Sequence, residues 1–396
     1  MYAHLFSEFL KHNKGTQHFA CHSHYYWPDV SREAMLEYWD DSSKYVDDKW
    51  TYFFKEKIPA LQKYIAADFC LSRPEQIVFA SHTHEFVMRL LSCLDWSKKN
   101  TILTTDSEFY SFKRQADRMN EMDNFEVVFT ELLPFDSFEE RFIDEIKRCN
   151  PDMVFISQVF YNSGIQLRSI DNIVKAVDNP QCLILIDGYH AFRAIPTDLS
   201  AVEDRIFYTA GSYKYAMGGE GCCFLYVPPD NKLRPFYTGW FAEFSTLSDQ
   251  KTNEVLYPED GSRFAGATTD FSSLYRLLSV YRLFEKEGLT LEMIHAYIRK
   301  MQSAFLEEVD KYGHPLINRK NLLYDDLDKH GHFYTFRLPD AATVERMAKL
   351  LRDFGIITDH RGDRLRFGFA LYHKGDYDLS VLNSRRAYFF DNFIFE

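Results

Sequence analysis

The sequence predicts an α/β fold: a large domain built on a mostly parallel sheet, with a smaller α+β domain towards the C-terminus. Three observations carry this. From about residue 75 to 230, short apolar runs alternate with segments of helical spacing, the pattern of strands joined by crossover helices. The runs are almost continuously apolar, as in strands covered on both faces. After about residue 271 the alternation stops and long helical patterns take over.

The predicted strands, in order, are QIVFA (76–80), TILTT (101–105), FEVVFT (125–130), MVFISQ (153–158), CLILID (182–187), RIFYTA (205–210) and CCFLYV (222–227). Between most of them HEFVMRLLSCL, SFKRQADRMNE and FEERFIDEIKRC place apolar residues at helical spacing. In the second half, FSSLYRLLSVYRLFEKEG and LEMIHAYIRKMQSAFLEEV read as long helices. HFYTFRLP, ATVERMAKLLRDFG, IITDHR and LRFGFALY then form a compact α+β pattern. The expected division is an N-terminal segment, 1–50, packing on the small domain; a large domain, 51–270; and a linking helix with the small domain, 271–396.

Composition narrows the function. Among 396 residues, Asp and Glu outnumber Lys and Arg by 58 to 46, and a net charge of −12 argues against nucleic acid or an anionic membrane as the main partner. No apolar run approaches the roughly 18 residues that span a bilayer. The first residues lack a basic start followed by an apolar stretch, so a cytoplasmic location is expected. Seven cysteines without CxxC spacing read as free thiols. The His-x-His pairs at 22/24 and 82/84 lack an accompanying carboxylate cluster, and no metal site is expected. Neither a GxGxxG fingerprint nor a P-loop is present.

In open parallel sheets ligands bind beyond the carboxyl ends of the strands. Two residues there suggest chemistry. Asp187 ends LILID, where a buried carboxylate needs a partner, although a strand-ending Asp commonly caps a helix. Lys214 lies 27 residues further on, between two tyrosines in GSYKYAMGGEG. Together, a lysine and a carboxylate at neighbouring tips suit pyridoxal 5'-phosphate. The lysine forms a Schiff base with the aldehyde, and the carboxylate keeps the ring nitrogen protonated.

The stretch LILIDGYHAFRAIPTDL…RIFYTAGSYKYAMGGEGCCFLYVPP resembles the core of the class V aminotransferases, fold-type I pyridoxal phosphate enzymes, and within them is most similar to kynureninase. The likeness runs in order from about 15 to 375. It implies Lys214 as the catalytic lysine. It places Thr83 and His84 at a phosphate-binding helix start, Phe109 on the ring, Asp187 on the ring nitrogen and His190 near the phenolic oxygen. It gives Tyr213 to the phosphate with help from Ser212, and sends Thr268 across a homodimer interface to the partner's phosphate. For the substrate it implies Arg366 as the carboxylate clamp, with Trp240, Ser23 and Asn162 nearby. His82 and His84 stand where the family is rich in Gly or Asn, Thr268-Thr269 replaces Thr-Pro or Asn-Pro, and His-Ser-His-Tyr (22–25) replaces an Asn-Ser-x-Gly loop. The desulfurase branch needs a cysteine in the C-terminal third, and none follows Cys223.

The expected activity is therefore a kynureninase-related reaction on an amino acid, by Cβ–Cγ hydrolysis or transamination. The alternatives are a catalytically altered relative that still binds the cofactor, or a desulfurase or lyase without the usual cysteine.

Overall fold

Seven strands of the larger unit form one sheet: β1 (Ile77–Ala80), β2 (Asn100–Thr105), β3 (Phe125–Thr130), β4 (Met153–Ser157), β5 (Leu183–Asp187), β6 (Phe207–Gly211) and β7 (Cys223–Tyr226). They are described in a computed structural model that covers residues 2–246 and 254–384. The order is β1-β7-β6-β5-β4-β2-β3, and only β7 runs against the rest. All seven strands coincide with the apolar runs of the sequence to within two residues. Ile184, Leu185 and Ile186 are fully buried. Burying each such side chain stabilises the sheet by about 1.5–3 kcal/mol.

The longer helices of this unit are α1 (Val30–Tyr45), α2 (Ile58–Asp68), α3 (Thr83–Leu91), α4 (Tyr110–Met119), α5 (Phe138–Cys149), α6 (Ile170–Ala176) and α7 (Ser272–Lys286). In α5 the buried residues Phe138, Phe142 and Ile146 recur every four positions, a stripe that packs on the sheet. Asn150 ends the helix in the left-handed conformation, with φ of 43°, a region that Asn tolerates better than most residues.

The smaller unit gathers Met1–Asp29, Asn162–Ile165 and Leu289–Glu396, and the larger one Val30–Tyr161 and Gln166–Gly288. Here the expected boundaries need correction. Residues 30–50 and 271–288 belong to the larger unit, because α1 and α7 pack on one another. In the smaller unit, α8 (Leu291–Asp310) and α9 (Ala341–Asp353) accompany a three-stranded antiparallel sheet of β8 (Phe333–Arg337), β9 (Asp359–Arg361) and β10 (Arg364–Gly368), ordered β9-β10-β8. Among the described residues no helix is long and apolar enough to cross a membrane.

β6 and β7 form an antiparallel pair whose connection is the Gly-rich loop 212–222. The loop needs its glycines: Gly219 and Gly221 have φ of 69° and 99°, values that L side chains rarely adopt. At the end of β6, a Cβ on Gly211 would lie 2.2 Å from Tyr189 Oη and 2.6 Å from Cys223 Sγ. Gly211→Ala is therefore expected to cost about 1–3 kcal/mol, the usual penalty of forcing atoms into a filled core. An unchanged denaturant midpoint in that variant would show that Tyr189 is free to move aside.

Candidate active site

The carboxyl edge of the large sheet carries a cavity of about 150 Å³ lined by residues of this unit alone. Lys214 enters it from the β6–β7 loop and is almost wholly buried. Its Nζ lies 2.8 Å from His190 Nε2. Three aromatic rings surround the amine, with centroids 4.8 Å (Tyr189), 5.4 Å (Phe109) and 5.5 Å (Tyr213) away. The loop is fixed from behind by Arg276 of α7, which donates from Nε to Gly218 O (2.8 Å) and from Nη2 to Glu220 O (2.6 Å). Lys214 is thereby aimed by backbone held at two points.

Asp187, the last residue of β5, also faces the cavity. One carboxylate oxygen accepts from the Tyr189 N–H at 2.9 Å. Burial raises its pKa, while that hydrogen bond and the charge of Lys214 pull it back. Among the described residues no cation stands within salt-bridge distance of it. Thr83 and His84 open α3 and both line the cavity, so the start of that helix stands at its edge. Burial pushes the Tyr213 phenol up to about 12, which keeps it protonated and a hydrogen-bond donor at neutral pH.

Lys214, Asp187, His190, Phe109, Tyr213, Thr83 and His84 thus line one cavity. Other expected residues do not join them. The Ser212 hydroxyl turns into the loop and donates to Gly219 O, because the left-handed glycine brings that carbonyl beneath it. Trp240 donates from Nε1 to Thr268 Oγ1 at 3.0 Å and packs on Trp50, Phe241 and Phe244. Thr268 lines a second cleft, of about 250 Å³, that shares no residue with the Lys214 cavity.

Arg366, Ser23 and Asn162 fall in the smaller unit. Arg366 is buried on β10 and paired with Asp359 opposite it on β9; His22 Nε2 lies 3.5 Å from the same carboxylate. The positive charges of His22 and Arg366 outweigh burial and hold Asp359 well below the usual carboxylate range. Ser23 bonds to its neighbour His24 at 3.2 Å, and the Asn162 carbonyl accepts from Arg364 Nη1 at 3.1 Å.

Sequence reasoning missed Glu108. It is fully buried just before Phe109 and accepts from Thr105 Oγ1 (2.8 Å), from Ser157 N (3.2 Å) and from the Ser157 hydroxyl. Desolvation first, with the charge of Asp187 adding to it, pushes its pKa up to about 8 against these hydrogen bonds. The only signal in the sequence was an acidic residue directly before two aromatic ones at a strand tip, DSEFYSF.

This fold and this donor set define a pyridoxal-phosphate-dependent enzyme of fold type I. The class V aminotransferase family model matches residues 33–364, and the chain belongs to that family. The structure is similar to C-DES, solved as a mutant with glycine covalently linked to the cofactor, at TM-score 0.78, 18% identity and 97% coverage of each chain. It is also similar to a cysteine desulfurase of Thermococcus onnurineus (TM-score 0.70, 18% identity, 94% and 93% covered). The desulfurase CsdA of Escherichia coli gives TM-score 0.72, 13% identity and 95% coverage of each chain. No curated protein sequence matches the chain. The cofactor is pyridoxal 5'-phosphate, and the cavity suits it. A buried amine for an aldehyde, a carboxylate short of a cation for a ring nitrogen, an aromatic face and a helix N-terminus for a phosphate all line one space.

Glu108 makes stability depend on pH in a definite direction. An unfolded Glu titrates near about 4.3, and the folded one at about 8. The folded state therefore holds the extra proton between these values. The stabilisation that this proton confers is fully present below the unfolded value and is lost as pH rises to about 8. Thermal midpoints of the cofactor-free wild type and Glu108→Gln should diverge in favour of the variant across that window. A constant gap would mean that the site does not hold Glu108 protonated.

Proposed function

We propose that this enzyme acts on an amino acid in a kynureninase-related reaction, hydrolysing a Cβ–Cγ bond or transferring the amino group. The observation that carries this reading is Phe109, whose ring centroid stands 5.4 Å from Lys214 Nζ, at the motif position where the desulfurase branch uses histidine. The Ser-Tyr-Lys-Tyr loop supports it.

Bound in the cavity, the cofactor supplies an electron sink for the pair left at the substrate α-carbon. The residues do the rest. Lys214 would hold the cofactor aldehyde and, once the substrate's amino group has displaced it there, its freed Nζ would take the α-proton and return a proton as general acid. Asp187 keeps the ring nitrogen protonated, and His190, within hydrogen-bond distance of Lys214 Nζ, orients the amine. Tyr213 donates its hydroxyl to the phosphate alongside the N–H groups of Thr83 and His84, and Phe109 covers the ring. Arg366 is the proposed anchor for the substrate carboxylate. Thr268, outside the Lys214 cavity of its own chain, suits the proposed contact with a partner subunit's phosphate in a homodimer.

A second reading is carbon–sulfur lysis. It is favoured by the likeness to C-DES, solved elsewhere as a cystine C-S lyase with cysteine persulfide as its product, at TM-score 0.78 and 18% identity. Elimination across Cα–Cβ needs a lysine base but no protein thiol. Desulfuration through a thiol fits poorly: burial pushes Cys93, Cys182 and Cys223 up to about 12, and thiolates are the reactive form.

Purified protein supplied with the cofactor should show a visible absorption band that Lys214→Ala loses, with turnover abolished. A panel including kynurenine and cystine then separates the readings. Alanine and an aromatic acid indicate Cβ–Cγ hydrolysis; pyruvate, ammonia and a persulfide indicate lysis. Normal turnover by Lys214→Ala would overturn both.

Arg366→Lys should raise KM for a carboxylate substrate at least tenfold while moving kcat less, because a single ammonium replaces a two-pronged contact. An unchanged KM would remove Arg366 from the substrate site.

A further inference from the structure

One carboxyl, Asp187, lines the cofactor cavity, and a second, Glu108, is buried behind Ser157, which lines it too. Asp187 ends β5, and its register partner on β4 is Ser157. Ser157 in turn gives both its N–H and its hydroxyl to Glu108, which reaches in from the end of β2. Ser157 is thus bonded to one carboxyl and stands beside the other in strand register. Every hydrogen-bond partner of Glu108 is a neutral group: Thr105, Ser157 N–H and Ser157 hydroxyl. The charge that acts on it is that of Asp187, two strands away at the end of β5, and among the described residues no salt bridge to Glu108 forms.

With the cofactor in place, Lys214 commits its amine, and the cation that offsets negative charge in this wall becomes the proton on the ring nitrogen. One cation balances one carboxylate. Two ionised carboxylates in a desolvated wall would repel each other, and the second would have no partner.

We propose that Glu108 stays protonated in the cofactor-bound enzyme, donating to Ser157, and so leaves Asp187 as the only charged carboxylate facing the ring nitrogen. Glu108 is then a positioning residue acting through Ser157 and Asp187. The inference rests on the cofactor reading and deepens it. Loss of the Glu108 proton would set a second anion beside Asp187, hold the ring nitrogen's proton more tightly and change the cofactor's absorption.

The test uses the cofactor-loaded protein without substrate. The visible spectrum of the wild type should titrate with a step near pH 8. Glu108→Gln, with the same cofactor content, should lose that step and match the wild-type spectrum below it. Superimposable titrations would overturn the proposal, whereas a wild type that takes up no cofactor at any pH would overturn the cofactor reading instead. Should Glu108→Gln fail to fold, infrared spectra of wild-type protein carrying carbon-13-labelled glutamate read the same group. A protonated-carboxyl band that shifts with the label and vanishes through about pH 8 supports the assignment, and no such band sinks it.

Discussion

The position of the Lys214 amine is set by backbone, and the rest of the site is arranged around that. A lysine side chain has four rotatable carbons and finds no fixed place unaided. Here the β6–β7 pairing brings both ends of the loop together, and left-handed glycines fold it back on itself. The Ser212 hydroxyl and the Arg276 guanidinium bind its carbonyls. Reversal of β7 is part of the same device. A parallel strand would need a long crossover, which would carry the lysine away from the neighbouring tip at Asp187.

Charge in this wall follows from desolvation. Lys214 and His190 face one another at 2.8 Å. Asp187 and Glu108 are both buried, and burial raises the pKa of each. The larger unit thus places two basic and two acidic groups where water is scarce, and hydrogen bonds distinguish the two carboxyls. Asp187 has a single N–H and an open face; Glu108 has three donors and no opening to the cavity. The open carboxylate is the one able to meet a ligand's cation.

Much of this was legible in the sequence, for physical reasons. Strands buried on both faces show as continuous apolar runs, so β4 and β5 could be placed from MVFISQ and CLILID alone. Asp187 and Lys214 interrupt apolar or glycine-rich stretches and so stand out. What stayed hidden depends on partners distant in sequence. Glu108 owes its burial to Ser157 on another strand, and Arg276 sits in a regular helical pattern without a local mark of its contact with the loop. The hydroxyl of Ser212 turned away because of Gly219, seven residues on. The unit boundary moved because α1 and α7, more than two hundred residues apart, pack as a pair.

The larger unit supplies chemistry common to many reactions, so selectivity must come from groups that differ between family branches. Phe109 is a candidate for such a group: its phenyl ring, 5.4 Å from Lys214 Nζ, offers no proton of the kind a histidine would. In the smaller unit, Arg366 is held by a carboxylate on the neighbouring strand. Arg366 already has its charge answered by Asp359, which His22 also approaches. An anionic group meeting Arg366 would therefore encounter a cation whose charge is shared with Asp359. Asp359 orients the guanidinium from the neighbouring strand, a planar contact that a lysine's single ammonium would not reproduce.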